Sequence, residues 1–269
     1  MEILSILLFY SIILLNYTFS EVKMIFEVTE QKNLKEIKIL FNDIRFYMGN
    51  SVLDGVMGKA FVDNVRNPNI AFLVVRNYCF ISGNIDDKDL KDIIDKNFKE
   101  YILIPSDDIA SKIEKIYSRN IRKSQRYSIK KEATFDKENL YRMINSLDKK
   151  FEIVKIDETL ADNIKKMKFL NITDNYKKYG IGFCCIYNDE IIGVASSNIF
   201  YKDGIEVNIK VKEDYRRKGI ATALASRLII ECLDQNKKIS WDAANTNSVG
   251  LAQKLGFEYD STYNTYNFI

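Results

Sequence analysis

Apolar residues along the first half of this chain follow two periods, which predict an alternation of strands and helices. The runs typical of strands are MIFEV (24–28), AFLVV (71–75), CFISG (79–83) and YILIP (101–105). Apolar residues at the spacing of an amphipathic helix occur in NLKEIKILFNDI (33–44) and DDKDLKDIIDKNF (86–98). The pattern therefore predicts a small N-terminal α/β domain, for which we set the bounds 24–135.

A second block, 136–269, has the same mixture with an antiparallel hairpin added. The strands IGFCCIY (181–187) and IIGVASSNIF (191–200) are separated by the turn residues Asn188 and Asp189. A strand, a helix, the short strand KISW, a second helix and two closing strands are predicted to follow. The predicted fold class is α/β (α+β) with a mixed sheet.

Composition excludes several kinds of chemistry. The 269 residues include no histidine, which excludes imidazole metal ligands and a histidine base. Cys184 and Cys185 are adjacent in a predicted strand and point to opposite faces, so they are poor disulfide partners. Without a histidine to activate a thiol, a covalent acyl-cysteine route is disfavoured. All four cysteines are predicted to be buried thiols in a reducing cytoplasm.

The first residues, MEILSILLFYSIILLNYTFS, are strongly apolar and have two interpretations. Residues 1–23 could be an N-terminal membrane anchor whose following domain faces the cytoplasm. Alternatively, the start is assigned too far upstream and translation begins at Met24, which we slightly favour because MIFEVTEQKNLKEI is a plausible first strand and helix. A secretory signal is not predicted, because no positive n-region or cleavage site is present.

A cationic stretch occupies residues 112–131 and contains eight lysines and arginines with two interleaved tyrosines. Such a pattern can contact nucleic acid. The net charge of the whole chain is only +3, however. We therefore predict a solvated face near the domain junction, and no nucleic-acid partner.

The segment DYRRKGIATALASRLI (214–229) places a cationic, glycine-containing loop at the start of a helix. In the preceding strand, IEVNIKV, the polar residues Glu206, Asn208 and Lys210 share one face. The unpaired amides of the first helical turn, from about Arg217 to Ala221, predict an anion site at the positive end of the helix dipole. The expected ligand is a diphosphate. A helix start with ordinary basic side chains is the alternative.

Two motifs in this half resemble those of a known family. RRKGIA (216–221) fits the Q/R-x-x-G-x-G/A signature of the GNAT superfamily of acetyl-CoA-dependent N-acetyltransferases, and NTNSVGLAQKLGF (245–257) is similar to its second motif. Longer segments, such as GFCCIYNDEIIGVASS, resemble the branch typified by the zwittermicin A resistance protein. The resemblance implies the GNAT fold in the C-terminal half, with a splayed central strand pair.

The resemblance also implies acetyl-CoA as co-substrate and no metal. Main-chain amides of the loop would hold the pyrophosphate, and the backbone of the strand before it would bind the pantetheine arm. The residues implied in cofactor binding are Ile209, Lys210, Val211, Arg216, Arg217, Lys218, Gly219, Ile220, Ala221, Asn245 and Ser248.

The resemblance assigns the catalytic acid and base less directly than the cofactor-binding residues. An ammonium must lose a proton before it attacks, and Glu206 is the candidate base, with a solvated or salt-bridged strand glutamate as the alternative. Many GNAT enzymes use a tyrosine seven residues after the motif asparagine as the acid, but here that residue is Ala252. Tyr263 and Tyr259 are the candidates instead, with Tyr266 weighed beside them. Alternatively, the thiolate leaves and takes its proton from water.

The resulting prediction is acetyl transfer from acetyl-CoA to a primary amine of a small molecule, which the narrower branch would extend to an antibiotic. The alternative is a CoA-binding module with little turnover, since the usual acid is absent. The predicted location is the cytoplasm, or a membrane-anchored form facing it if residues 1–23 are an anchor. The sequence does not determine the oligomeric state.

Overall fold

The computed structural model describes residues 23–42, 47–130, 133–170 and 176–269. Both interpretations of the apolar N-terminal segment fall almost entirely outside these residues and stay predictions. No helix within the described ranges is long and apolar enough to span a membrane.

Strands and helices alternate along the described chain largely as predicted. The strands are β1 (Phe26–Val28), β2 (Lys59–Val62), β3 (Ile70–Val75), β4 (Tyr78–Gly83), β5 (Ile102–Pro105), β6 (Ile121–Ile129), β7 (Glu152–Lys155), β8 (Gly182–Tyr187), β9 (Glu190–Tyr201), β10 (Gly204–Val211), β11 (Lys238–Ser240), β12 (Asp242–Ala243) and β13 (Tyr259–Phe268). The helices are α1 (Gln31–Ile37), α2 (Tyr47–Leu53), α3 (Asp87–Asn97), α4 (Asp107–Ile116), α5 (Lys137–Asn145), α6 (Glu158–Lys166), α7 (Tyr176–Tyr179), α8 (Ile220–Asp234) and α9 (Thr246–Lys254).

Two sheets organise the described residues. The first has the strand order β1-β2-β3-β4-β5-β13-β6-β12, and the second has the order β11-β10-β9-β8-β7. Parallel and antiparallel pairs occur in both. The mixed α/β prediction is therefore confirmed. Two closing strands were expected after α9, whereas the structure has the single ten-residue strand β13.

The first sheet is buried on both faces around β3, which explains why this strand is continuously apolar. All six residues of β3 are buried. Ile70, Phe72 and Val74 belong to one apolar cluster, whereas Ala71 and Leu73 belong to another on the opposite face. Because side chains alternate along a strand, an unbroken apolar run suits a strand covered on both sides.

The long helix α8 packs closely on the second sheet because β9 carries a glycine beneath it. A Cβ at Gly193 would lie 2.9 Å from Ile220 Cγ2 and 3.0 Å from Leu224 Cδ1. The absence of a side chain therefore lets the first turn of α8 contact the sheet. This contact places the start of α8 beside the end of β10.

The two sheets separate at the end of β11. Residues 204–206 of β10 pair in parallel with residues 238–240 of β11. After Trp241 the chain enters β12, which pairs with β6 of the first sheet instead. From Val207 onward, no described strand pairs with the edge of β10 that β11 occupies at residues 204–206. A splayed strand pair is therefore present, as the resemblance implied.

The predicted domain boundary between residues 135 and 136 stays a prediction. Strands from both sides of it share the first sheet, because β13 pairs with β5 and β6. The C-terminal strand thus connects the two halves of the chain.

Candidate active site

A cleft of about 490 Å³ opens where β10 and β11 separate. It extends from the start of α8, along β10, to a buried carboxylate. Its lining residues are Met48, Tyr78, Arg126, Asn198, Glu206, Val207, Asn208, Ile209, Lys210, Val211, Arg216, Ala221, Trp241, Asp242, Ala244, Asn245, Asn247, Ser248 and Leu251. They come from both halves of the chain.

The loop before α8 presents main-chain amides at one end of this cleft. Arg217 has φ +61° and Gly219 has φ +83°, so two nearly adjacent residues are left-handed. The first intrahelical bond is donated by Ala223 N–H to the Gly219 carbonyl, 3.0 Å. The preceding amides therefore have no partner within the helix, and no side chain caps it. Such a concave set of amides at a helix N-terminus suits a diphosphate.

The cationic side chains of this loop contribute less to the end of the cleft than its main-chain amides do. Arg216 lines the cleft and forms a 2.8 Å ion pair with Glu213. Arg217 and Lys218 are exposed, and the Lys218 ammonium lies 5.2 Å from the centre of the Tyr215 ring. The buried Ile220 packs under the helix, so only its amide faces the loop. The site is therefore built mainly from the backbone.

The strand β10 provides an open hydrogen-bonding edge along the cleft. Lys212 N–H donates to the Ile192 carbonyl on β9, 2.8 Å. Main-chain groups alternate in direction along an antiparallel strand. The amides and carbonyls of Val207, Ile209 and Val211 therefore face the open edge, whereas those of Lys210 face β9. Of the three residues predicted to bind the pantetheine arm, two present their backbone to the cleft.

Glu206 lies at the end of the paired part of β10, and it is only 5% exposed. The Asp242 N–H donates to its Oε1 at 2.6 Å, and the Ser240 hydroxyl bonds its Oε2. Burial and the nearby charge of Asp242 raise the pKa of Glu206 to about 8. Of the alternative, a solvated or salt-bridged strand glutamate, the solvated form is wrong because this carboxyl is buried.

Asp242, two residues after β11, connects Glu206 to the first sheet. Its Oδ2 accepts from Arg126 Nε at 2.8 Å and lies 2.6 Å from Arg126 Nη2. The Tyr263 hydroxyl donates to its Oδ1 at 2.9 Å. Burial, opposed by Arg126, raises the pKa of Asp242. Burial and the Asp242 charge also raise the pKa of Tyr263, which favours the neutral phenol.

Tyr78, the first residue of β4, reaches the same point from the N-terminal half. The Arg126 guanidinium lies 5.5 Å from the centre of its ring. Burial raises the pKa of Tyr78, an effect that Arg126 opposes. Tyr78 is the one tyrosine among the described residues that line this cleft.

A second cleft, of about 620 Å³, continues from the first. It is lined by Arg76, Asn77, Tyr78, Asn198 and Asn208, of which the last three line both clefts. It therefore reaches the region of Glu206 without involving the loop before α8.

Helix α9 supplies the remaining predicted cofactor residues. The Asn245 side chain accepts from the Ser248 N–H at 3.0 Å, so it caps this helix. The Ser248 hydroxyl accepts from the Trp241 indole N–H at 3.0 Å. Both residues line the cleft, and their contact with a cofactor stays a prediction. Ala252, at the position of the usual acid, is fully buried in the core, and Leu251 lines the cleft instead.

Other candidates from the sequence lie away from the clefts. Tyr259 is 39% exposed and lines neither cleft. Tyr266 is buried in the first sheet and donates to Glu114 at 2.5 Å. Burial raises the pKa of Cys184 and Cys185 to about 11 each, which favours the unreactive thiol. In the part of the chain that the structure describes, no three acidic or cysteine side chains converge as metal ligands would.

Four residues of the site were not identified from sequence: Arg126, Asp242, Tyr78 and Asn198. Arg126 was assigned to a solvated cationic face, and most of that face does carry exposed side chains, as on β6. The sequence does contain a pattern that could have identified Asn198, because the polar run Ser196–Asn198 interrupts an otherwise apolar strand. No local pattern indicates that Arg126 and Asp242 meet across 116 positions.

Comparison with known proteins identifies the family of this chain. The GNAT acetyltransferase family model matches residues 38–266. The chain is 24% identical over 234 residues to the uncharacterized N-acetyltransferase YdfB of Bacillus subtilis (strain 168), covering 80% of this chain and 88% of that protein. It is also similar to the crystal structure of a GCN5-related N-acetyltransferase-like protein from Streptococcus suis 89/1591. That match has a TM-score of 0.80 and 29% identity, and it covers 88% of this chain and 99% of the other.

A more distant structure shares the fold alone. It is a tandem GNAT protein from the clavulanic acid biosynthesis pathway, with a TM-score of 0.54 and 7% identity over 91% of this chain and 98% of the other. The assignment to the zwittermicin-type branch stays a prediction. The family match covers most of the chain, so the superfamily prediction is confirmed. The chain belongs to the GNAT acetyltransferase family and is an acyltransferase.

Proposed function

We propose that the protein transfers an acetyl group from acetyl-CoA to a primary amine of a small molecule. One observation supports this most strongly: a single cleft joins an uncapped helix start, an open strand edge and the buried carboxyl of Glu206. These three features match the diphosphate, the amide-containing arm and the reacting end of an acyl-CoA.

The donor would be held mainly by the backbone. The amides between Arg217 and Ala221 would bind the pyrophosphate, with Arg216 and Lys218 adding positive charge. The open edge of β10 at Ile209 and Val211 would pair with the pantetheine arm as a further strand would. Lys210 would contribute its side chain and not its backbone. Asn245 caps α9, and Ser248 bonds the Trp241 indole. These two interactions would position α9 beside the cofactor.

The acceptor must be neutral when it attacks, and Glu206 is the proposed base. In the transfer, the amine nitrogen bonds to the acetyl carbonyl carbon, the carbon–sulfur bond breaks, and Glu206 takes the amine proton. A carboxyl whose pKa is about 8 is a stronger base than an ordinary glutamate and is still partly ionised near neutral pH. Asp242 would position Glu206 through its main-chain N–H.

The two predicted acids, Tyr263 and Tyr259, are not equally well placed to donate a proton. Tyr263 would serve as acid only by releasing its bond to Asp242, so its supported role is to position that carboxylate. Tyr259 would need to move from the surface. The departing thiolate can also take a proton from water.

The narrower predictions belong to the same proposal. The zwittermicin-type branch suggests an antibiotic as the amine-bearing molecule. Because acetyl-CoA is a cytoplasmic metabolite, the catalytic part would face the cytoplasm whichever interpretation of residues 1–23 holds. The second candidate function is a CoA-binding module with little turnover, which the buried Ala252 favours.

One experiment tests the proposal and separates the two candidates. Calorimetry measures acetyl-CoA binding by the full chain, and release of free thiol is followed with a panel of small amines. Binding together with amine-dependent thiol release is expected. Binding without thiol release on any amine would favour the module, and no binding would contradict both.

A further inference from the structure

The second cleft has no assigned ligand, and the described residues that line it all have polar side chains. They provide three side-chain amides, a phenol and a guanidinium. Each of these groups forms hydrogen bonds with water when exposed. An alkyl ligand would displace that water without replacing the hydrogen bonds, which is unfavourable. A ligand with hydroxyl or amide groups would replace them.

Asn198 has an unsatisfied acceptor at the junction of the two clefts. Its Oδ1 is buried and has no hydrogen-bond partner. Asn198 is the extra residue of a β-bulge, because Glu206 pairs with Ile199 and Val207 pairs with Ser197. Bulges redirect side chains and often lie next to active sites. A buried acceptor without a partner is unfavourable, and a ligand N–H would satisfy it.

We propose that the second cleft binds the acyl acceptor, and that this acceptor is a hydrophilic primary amine with hydroxyl or amide groups close to its amino group. An amine N–H donates to Asn198 Oδ1, and the hydroxyl or amide groups bond the remaining lining residues. Glu206, in the adjoining cleft, then takes the proton. The identification of the ligand as an acceptor rests on the proposed function.

The test follows the Asn198 side-chain amide by NMR in the 15N-labelled full chain with CoA present. The resonance is assigned by its loss in Asn198→Leu. The probes are 2-amino-1,3-propanediol and 3-aminopentane, in which methyl groups replace the two hydroxyls. A saturable shift is expected with the diol at concentrations at least tenfold lower than with the alkylamine. Equal shifts, a preference for the alkylamine, or no shift with either probe would overturn the proposal.

A matched variant checks that the effect is local. Asn264 lies on β13 and lines neither cleft, so Asn264→Leu should leave the diol-induced shift unchanged. Asn198→Leu removes the acceptor of the amine N–H and should lower kcat/KM for both amines. Asn77→Leu removes an amide that would bond the hydroxyls, so it should lower kcat/KM for the diol at least tenfold and that for 3-aminopentane less than threefold; equal losses in Asn77→Leu would contradict the assignment. Failure of wild type to bind acetyl-CoA would overturn the proposed function, whereas the amine-induced shift would still report on this cleft.

An independent observation concerns the acid. Ala252 is buried, and α9 lines the first cleft with Asn247, Ser248 and Leu251, none of which titrates near neutral pH. Within the described ranges, Tyr78 is the one tyrosine that lines either cleft. The Arg126 guanidinium lies 5.5 Å from the centre of its ring and opposes the rise of the Tyr78 pKa that burial causes.

We infer that Tyr78, from the N-terminal half, is the proton donor to the departing thiolate. As the carbon–sulfur bond breaks, the Tyr78 phenol gives its proton to sulfur, and the phenolate regains a proton from water. This assignment also rests on the proposed function. It would explain why the usual position on α9 can be an alanine.

Two substitutions test this role. Tyr78→Phe should lower kcat about 100-fold with KM for acetyl-CoA within threefold of wild type, whereas Tyr141→Phe, at an exposed residue that lines neither cleft, should change neither. Replacing Tyr78 by 3,5-difluorotyrosine keeps the shape and lowers the phenol pKa, so the alkaline limb of the kcat profile should move to lower pH. An unaltered kcat in Tyr78→Phe, or an unaltered limb with the fluorinated residue, would overturn the inference. If the wild-type protein does not bind acetyl-CoA, that result overturns the proposed function instead.

Discussion

The two ends of the joined clefts are built in different ways. At the start of α8, the groups proposed to bind the pyrophosphate are main-chain amides of a few consecutive residues around Gly219. At the other end, the side chains of Glu206, Asp242, Arg126 and Tyr78 come from β10, β12, β6 and β4. The first end is therefore encoded in one short segment, whereas the second exists only after both sheets have formed. This difference predicts how each end responds to substitution.

The largest effect is expected at the side-chain end. Glu206→Gln keeps the shape of the side chain but removes the base, so kcat/KM should fall about 10²- to 10⁴-fold while acetyl-CoA affinity stays within threefold. With a weakly basic amine such as aminoacetonitrile, wild-type kcat/KM should rise with pH to a plateau above about pH 8, and the variant should lose this limb. The exposed Glu190→Gln is the control. Full activity in Glu206→Gln would exclude a base at this position.

The same carboxyl should make stability depend on pH. The pKa of Glu206 is raised from 4.5 to about 8 on folding, so between these values the folded protein retains a proton that the unfolded chain has lost. The free energy of unfolding should therefore decrease as pH rises from about 5 to about 8. At 1.36 kcal/mol per pKa unit, the decrease is about 4 to 5 kcal/mol.

Urea unfolding at pH 5 and pH 9 measures this decrease. Glu206→Gln should remove most of it, and the remainder should come from Asp242, whose pKa is also raised. Glu190→Gln should leave the wild-type dependence intact. If the decrease persists undiminished in Glu206→Gln, the carboxyl is not desolvated as described.

The buried ion pair should show the cost of an unpaired charge. Arg126→Met leaves the Asp242 carboxylate buried without its partner, so the free energy of unfolding should fall by about 3 to 5 kcal/mol. The double variant Arg126→Met, Asp242→Asn should recover a large part of that loss. Lys123→Met, which breaks an exposed pair with Glu114, should cost less than about 1 kcal/mol. Similar losses for Arg126→Met and Lys123→Met would contradict the burial of this pair.

At the backbone end, a change of conformation should matter more than a change of charge. Gly219→Asp adds a carboxylate beside the amides at a residue with φ +83°, so acetyl-CoA affinity should fall at least about 100-fold by calorimetry. Lys218→Ala removes an exposed cation and should weaken binding less than about tenfold. Gly250→Asp, in open space on α9, controls for the added charge. A larger loss for Lys218→Ala than for Gly219→Asp would reverse the distinction between the two ends.

Local periodicity predicted most of the fold, and it failed where pairing is long-range. The strands around residues 71–83 and the hairpin of β8 and β9 follow from apolar runs and turn residues. β6 was not predicted, because its exposed cationic residues resemble a solvated segment. It is a strand because β13, more than a hundred residues later, pairs along its whole length.

The sequence by itself determined the family and the fold class, and it predicted where an anion would bind. It could make that prediction because unpaired helix amides and an adjoining strand are properties of one short segment of the chain. Only the tertiary structure decided which carboxyl is desolvated, which arginine opposes it, and which tyrosine and asparagine face the clefts. Arg126 and Asp242 are 116 residues apart, and their meeting depends on how the two sheets separate after β11.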